Sequence, residues 1–190
     1  HLGANLAGSA MEPGRLVNGY VRSKGARGQA GVYGAGYRTS ADYAALANGN
    51  AAHSTELEDD SYPEIMYSCG HWPTAFAMAE ATHASGLQLI EALVIGYEVG
   101  AKLGLAYLDA ALKGKASFAA LSAIANAATA AKLLHLDEAR TTSALSIAAS
   151  QAAGLRRQAG SGAHLVEAGF TGRNGICAAE LASLGYTGNM

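Results

Sequence analysis

The chain has 190 residues, with 13 Lys and Arg against 15 Asp and Glu, half of its residues hydrophobic and 15% charged. That length suits one domain with a real core, and a net charge of −2 leaves no basic face of the kind that nucleic-acid binders present. Ala and Gly together make up about a third of the chain without a Gly-X-Y period, which excludes collagen, and the apolar content excludes a disordered chain.

Pro13, followed by Leu16, Val17, Tyr20 and Val21, has helical spacing with Pro in the first turn. Residues 25–36 read as a Gly-rich connector, with a short extended piece over 29–33 and a flexible turn over 31–36. Ser40 reads as the N-cap of a helix over 41–58. Trp72-Pro73 opens another helix that ends near Ser85-Gly86, and Ser85 with Gln88 makes a capping box for a long helix reaching residue 108. The apolar stretch over 87–108 is interrupted by Glu91, Glu98, Lys102 and several Gly, so it does not span a bilayer. No signal peptide is visible, and the expectation is a cytoplasmic protein with no membrane partner.

After a break at Lys113-Gly114-Lys115, a helix of small residues covers 117–134. Asp137 caps the next, Gly154 stands where a C′ glycine would stop it, and Gly160-Ser161-Gly162 opens a last helix to about residue 185. Confident strands are absent. The fold expected is all-α, a compact bundle of six to seven helices forming a single domain over 1–190. Gly169, Gly172 and Gly175 inside the last helix each cost about 1 kcal/mol relative to Ala. That face therefore needs close contact, most simply with a neighbouring helix. Cys69 and Cys177 are too few for a disulfide scaffold and read as reduced, buried thiols. A chain that begins at His1 also reads as a processed or truncated piece of something longer.

Three polar clusters carry candidate chemistry. In His53-Ser54-Thr55-Glu56-Leu57-Glu58-Asp59-Asp60, helical spacing puts His53, Glu56 and Asp60 on one face with Asp59 beside Glu56. Acids crowded at a helix C-terminus oppose its dipole, a local cost that functional sites often bear; a solvated helix end is the plain alternative. One His with carboxylates is a donor set for Mg²⁺ or Mn²⁺, but no second His follows at i+4, so no zinc motif is present and no metal is assigned. In Ser68-Cys69-Gly70-His71-Trp72-Pro73, His71 is placed just before a helix whose free N–H groups keep an imidazole neutral, as a general base requires. In Arg156-Arg157-Gln158-Ala159-Gly160-Ser161-Gly162-Ala163-His164, two Arg precede a Gly-Ser-Gly helix start, an arrangement for binding an anion, carboxylate or phosphate; an ordinary loop is the plain alternative. A dinucleotide fingerprint is excluded there, because a helix precedes it and the third Gly is missing.

Together these segments resemble the MmgE/PrpD family, which includes 2-methylcitrate dehydratase, cis-aconitate decarboxylase and iminodisuccinate epimerase. The likeness lies in Leu2-Gly3-Ala4-Asn5-Leu6-Ala7-Gly8-Ser9, in Ala47-Asn48-Gly49-Asn50-Ala51-Ala52-His53 running into the acidic block, and in Gly70-His71-Trp72-Pro73. Glu91-Ala92-Leu93-Val94-Ile95-Gly96-Tyr97-Glu98-Val99 and the run from Leu145 through Gln151 to Leu155 complete it, in the family's order over nearly the whole chain. The resemblance implies a mainly helical domain, completed in the family by a second α/β domain that this chain is expected to lack. It also implies a homodimer, and proton transfer beside a carboxylate without metal or organic cofactor.

By that resemblance His71 falls on the family's active-site histidine, with Glu56 and Asp59 on its two acidic positions. Near Lys115 the family has a His-Pro pair that is missing here, and where it has Lys and then His, this chain has His164 and Glu167. These departures point to a smaller or less charged substrate than a tricarboxylate unless Arg156, Arg157 or Lys115 compensates. The expectation is a cofactor-independent lyase or isomerase acting on a small carboxylic acid. His71 and His164 would transfer protons, Glu56 and Asp59 would orient His71, and Arg156, Arg157, Ser161, Lys115 and Glu167 would contact substrate. The alternative is a non-catalytic binding or assembly subunit, or a fragment of a longer enzyme.

Overall fold

A computed structural model describes residues 1–59, 68–113 and 119–189. Among these the order is α1 (Leu2–Ala10), α2 (Glu12–Arg22), β1 (Ala30–Val32), β2 (Tyr37–Thr39), α3 (Ala41–His53), α4 (Ser68–Thr82), α5 (Gly86–Leu112), α6 (Ala119–Leu133), α7 (Glu138–Ser150), a 3-10 turn (Arg156–Gln158) and α8 (Gly162–Ser183). The fold is all-α, with eight helices where the sequence suggests six or seven, and with one antiparallel hairpin in the Gly-rich connector. The hairpin turn needs glycine, since Gly34 and Gly36 take φ of 75° and 71°.

Local signals explain several helix ends. Ser85 and Gln88 exchange the two capping-box bonds, at 2.8 and 3.3 Å, ahead of α5. The Asp137 carboxylate accepts from the Arg140 N–H at 2.8 Å. His83 and His135 close α4 and α6 in left-handed conformations, φ 55° and 53°. Gly154 lies four residues past the end of α7, outside the C′ position expected for it.

The core is built of small residues. Helix α3 is buried at Ala41 and at every position from 44 to 53, and packs against α8, α4, α1 and α2. Leu46, Met78 and Ile176 are the largest fully buried aliphatic side chains. The Asn48-Gly49-Asn50 segment locks α3 in place: Asn48 bonds the first strand of the hairpin and the residue after it, accepting from the Tyr33 N–H and donating to the Gly31 carbonyl at 2.9 Å each. Asn50 donates to the Pro13 carbonyl of the α2 start at 3.1 Å. These buried amides are satisfied by backbone groups, as burial demands.

Helix α8 meets its neighbours through the three glycines. A Cβ at Gly169 would lie 2.3 Å from the Leu46 carbonyl oxygen, one at Gly172 2.5 Å from Thr74 Oγ1, and one at Gly175 2.7 Å from Asn126 Cβ. The close contact expected on this face is therefore with α3, α4 and α6. Of the cysteines, Cys69 is buried and Cys177 half-buried, and neither is in a disulfide. Among the described residues, no helix is long and apolar enough to cross a membrane.

Gly169→Ala is expected to lower stability by about 1–3 kcal/mol, because a rigid backbone atom occupies the space. Gly162→Ala, where a Cβ meets nothing within 4 Å, is expected to leave it within about 0.5 kcal/mol. Chemical denaturation of both variants measures the contrast.

Candidate active site

Helix α3 ends at His53, not near residue 58, because its last carbonyls are taken by the side chains that follow. The Ser54 hydroxyl and N–H both donate to the Asn50 carbonyl, at 2.7 and 2.9 Å, and Thr55 Oγ1 donates to that of Ala52 at 3.0 Å. Glu56 then adopts φ 49°, a left-handed turn uncommon outside glycine. The chain doubles back, and the Glu56 and Glu58 carboxylates stand 3.8 and 3.2 Å from His53 Nε2. The helical face expected for His53, Glu56 and Asp60 is thus replaced by a turn, and Asp60 lies outside the described residues.

His53 is 1% exposed. Burial lowers its pKa, but the Glu58 hydrogen bond, the Glu58 and Glu56 charges and the Leu165 backbone carbonyl outweigh it, holding the imidazole above its ordinary value. His164, in the first turn of α8, packs edge-on against His53 with ring centroids 4.5 Å apart. Its own Nδ1 lies 3.5 Å from the Glu167 carboxylate, one turn on. The structure therefore gathers Glu56, His164 and Glu167 around His53, which the sequence sets beside Glu56 but not beside His164. Two imidazoles in contact, each backed by a carboxylate, form an arrangement able to hold and pass a proton.

His71 stands elsewhere. It lies inside α4, which begins at least three residues earlier, so the helix N-terminus expected after it does not exist. The ring is fully buried, with Nδ1 3.0 Å from the Asn126 amide and Nε2 3.0 Å from the Leu93 carbonyl. Asn126 in turn donates to Thr171 Oγ1 at 3.2 Å. Burial outweighs the hydrogen bonds to Asn126 and Leu93 and pushes the His71 imidazole below its ordinary value. Glu56 and Asp59 do not orient it: Glu56 faces His53, while Asp59 pairs with the His1 imidazole and accepts from Ser68 Oγ at 2.9 Å. Asp59 is separated from His71 by Tyr97, whose ring lies edge-on to His71 at 4.6 Å. Burial, aided by the Asp59 charge, pushes the Tyr97 hydroxyl up to about 12.

A cavity of about 390 Å³ has Gln151, Glu167, Phe170, Thr171, Arg173 and Asn174 in its wall. It lies between the two histidine systems, because Glu167 pairs with His164 and Thr171 leads through Asn126 to His71. The guanidinium in its wall is that of Arg173, which lies 5.0 Å over the Phe170 ring and donates to Asn174 Oδ1 at 3.1 Å. Arg156 and Arg157 are exposed on the 3-10 turn, and the exposed Ser161 hydroxyl donates to the Gln158 carbonyl at 2.7 Å. Lys115 lies outside the described residues, and Lys113 pairs with Asp109 at 2.8 Å. The sequence signal for Arg173 is the spacing of Ala163, Val166, Glu167, Phe170, Arg173 and Asn174, which forms one stripe along α8. A larger cavity of about 660 Å³ is walled mainly by apolar groups, Leu2, Leu6, Trp72 and Phe76 among them.

The fold and the site together define an Ala- and Gly-packed, all-α domain that holds paired imidazoles and carboxylates beside a polar cavity. The chain belongs to the MmgE/PrpD family, whose N-terminal domain matches residues 1–190. It is 35% identical over 172 residues to the cis-aconitate decarboxylase-like protein oryM of Aspergillus oryzae, covering 85% of this chain and 36% of that protein. It is 31% identical over 196 residues to the cis-aconitate decarboxylase of Homo sapiens, covering 99% and 40%. With that of Aspergillus terreus it shares 33% over 164 residues, covering 82% and 34%. The chain thus spans little more than a third of the length of these relatives.

The two buried histidines are expected to titrate on opposite sides of 6.5, the ordinary value. His53, raised, contributes stability below 6.5 that is lost as pH climbs through its folded value. His71, lowered, contributes stability above 6.5 that is lost as pH falls from there. Histidine side-chain NMR titration measures both, and coincident midpoints near 6.5 contradict the assignment.

Proposed function

We propose that this chain supplies the proton-transfer and carboxylate-binding groups of a lyase or isomerase acting on a small organic acid. The observation that carries this reading is the His53–His164 contact, flanked by Glu58 and Glu167, at the edge of a cavity with Arg173 in its wall. Membership of a family whose relatives here are named as decarboxylases supports it.

In this reading Arg173 pairs with a substrate carboxylate, the geometry guanidinium suits best. His164 handles the proton at the neighbouring carbon, and His53, held protonated by Glu58, backs it. For decarboxylation, the bond to the departing carboxylate breaks, its electron pair stays on carbon, and the imidazolium delivers the proton. For dehydration or epimerisation, the neutral imidazole removes the C–H proton first. Neither route calls on an organic cofactor or a metal. His71 enters as a core residue that shapes the cavity wall through Asn126 and Thr171, a role its burial favours over the base role the resemblance implies. With Arg173 the cation in the cavity wall among the described residues, a mono- or dicarboxylate fits this site better than a tricarboxylate.

His164→Ala is expected to lower turnover at least about 10²-fold, the lower range for acid–base groups, with the melting temperature nearly unchanged. His71→Ala is expected to lower stability instead, by about 2–4 kcal/mol, because two buried partners lose their bonds. Turnover with cis-aconitate and smaller carboxylic acids, beside thermal melts, separates them; unchanged turnover in the His164 variant would overturn the reading. A small acid is also expected to raise the melting temperature, and the rise should vanish in Arg173→Gln.

A further inference from the structure

The same turn that ends α3 brings together donors that no single segment of sequence holds. The ligand atoms of His53, Glu56 and His164 all lie within 4.8 Å of one another, from the end of α3, the turn after it and the first turn of α8. His53 Nε2 and Glu56 Oε2 stand 3.8 Å apart. Two ligands at about 2.1 Å from a tetrahedral Zn²⁺ are about 3.4 Å apart, so a few tenths of an ångström close the gap. Glu56, more than half exposed on its turn, has the freedom to supply that movement.

The surroundings favour a cation. Glu167 lies 3.5 Å from His164 Nδ1, and the Leu165 carbonyl stands at the His53 ring. Such carboxylate and carbonyl partners fix the tautomer of metal-binding histidines and raise their basicity. Glu58 is 9% exposed, and its second oxygen is buried with no hydrogen-bond partner among the described residues. A buried carboxylate oxygen without a partner costs free energy that a neighbouring divalent ion offsets.

We propose that His53, Glu56 and His164 form a site for a divalent transition-metal ion of the Zn²⁺ type, with a fourth position open toward solvent past Glu56. Imidazole and carboxylate donors suit such an ion better than Mg²⁺ or Ca²⁺, which take all-oxygen shells. Occupancy ties up the lone pairs of both imidazoles and so silences their acid–base use. That consequence rests on the function proposed above; the binding itself does not.

The test is titration of Zn²⁺ into chelator-treated protein without substrate, by calorimetry and by competition with a chromophoric chelator. Saturable 1:1 binding is expected, with an affinity at least tenfold weaker in His164→Ala and in Glu56→Gln, and about 10–100-fold weaker in Glu167→Gln. The melting temperature should rise with Zn²⁺ in the parent protein and stay flat in His164→Ala. A second donor set, His53, Glu58 and Cys69, also lies within 4.8 Å. Binding lost in Cys69→Ser but kept in His164→Ala would overturn the assignment, as would no saturable binding at micromolar Zn²⁺. Turnover measured in chelator reports on the acid–base reading alone, so the two proposals fail separately.

Discussion

The spacing between α3 and α8 is the constraint on which the rest depends. At Gly49 a Cβ would lie 2.8 Å from Gly169 Cα, and at Gly169 one would lie 2.3 Å from the Leu46 carbonyl, so the two backbones touch with no side chain between them. The helices run antiparallel at this point. One turn onward from Gly49 is His53, and five residues back from Gly169 is His164, and their rings meet at 4.5 Å. Any side chain at the crossing would push the helices apart and open the imidazole pair. The same stripe of glycines seats α8 on Thr74 of α4 and on Asn126 of α6. One helix thereby touches both histidine systems, and about 1 kcal/mol of lost propensity per glycine is offset by close packing along its whole length.

Burial alone does not decide what a histidine does here. His53 and His71 are both almost wholly shielded from water, yet their imidazoles move in opposite directions. At His53, two carboxylates at 3.2 and 3.8 Å favour the charged ring more than desolvation disfavours it. At His71, an amide and a backbone carbonyl give hydrogen bonds without compensating charge, and desolvation prevails. A Cβ at Gly96 would sit 2.1 Å from His71 Cε1, which shows how closely α5 is fitted against this core histidine.

Much of the architecture was legible in the residues. Ser85 with Gln88, Asp137 and Pro13 marked helix starts by mechanisms that act within one turn, and Gly169, Gly172 and Gly175 announced a tight helix crossing by their cost. The hairpin was half hidden, because its strands are three residues each and are held by Asn48, Glu80 and the rest of the core more than by local propensity. Glu80 alone accepts from the Gly31 N–H and the Tyr33 hydroxyl, at 3.1 and 2.9 Å. The candidate site was less legible still. His53 with Glu56, and His164 with Glu167, stood out by local spacing, but nothing local showed that the two pairs would meet across α3 and α8. His71, flanked by Pro73, looked like a loop residue, whereas tertiary packing carries α4 through that proline. Arg173 was overlooked because, although Phe170 and Asn174 stand beside it on α8, nothing local shows that this stripe faces a cavity.

The acidic run shows why the helix has to stop where it does. A helix continued through residue 58 would put Glu56 beside His53, but Glu58, five residues on, would stand about 140° around the axis and face away. It would also crowd carboxylates at a C-terminus whose dipole repels them. By closing the last carbonyls with Ser54 and Thr55 and reversing the chain at Glu56, the sequence removes both problems. Two carboxylates then converge on one buried imidazole, from a turn that leaves the Glu56 side chain more than half exposed.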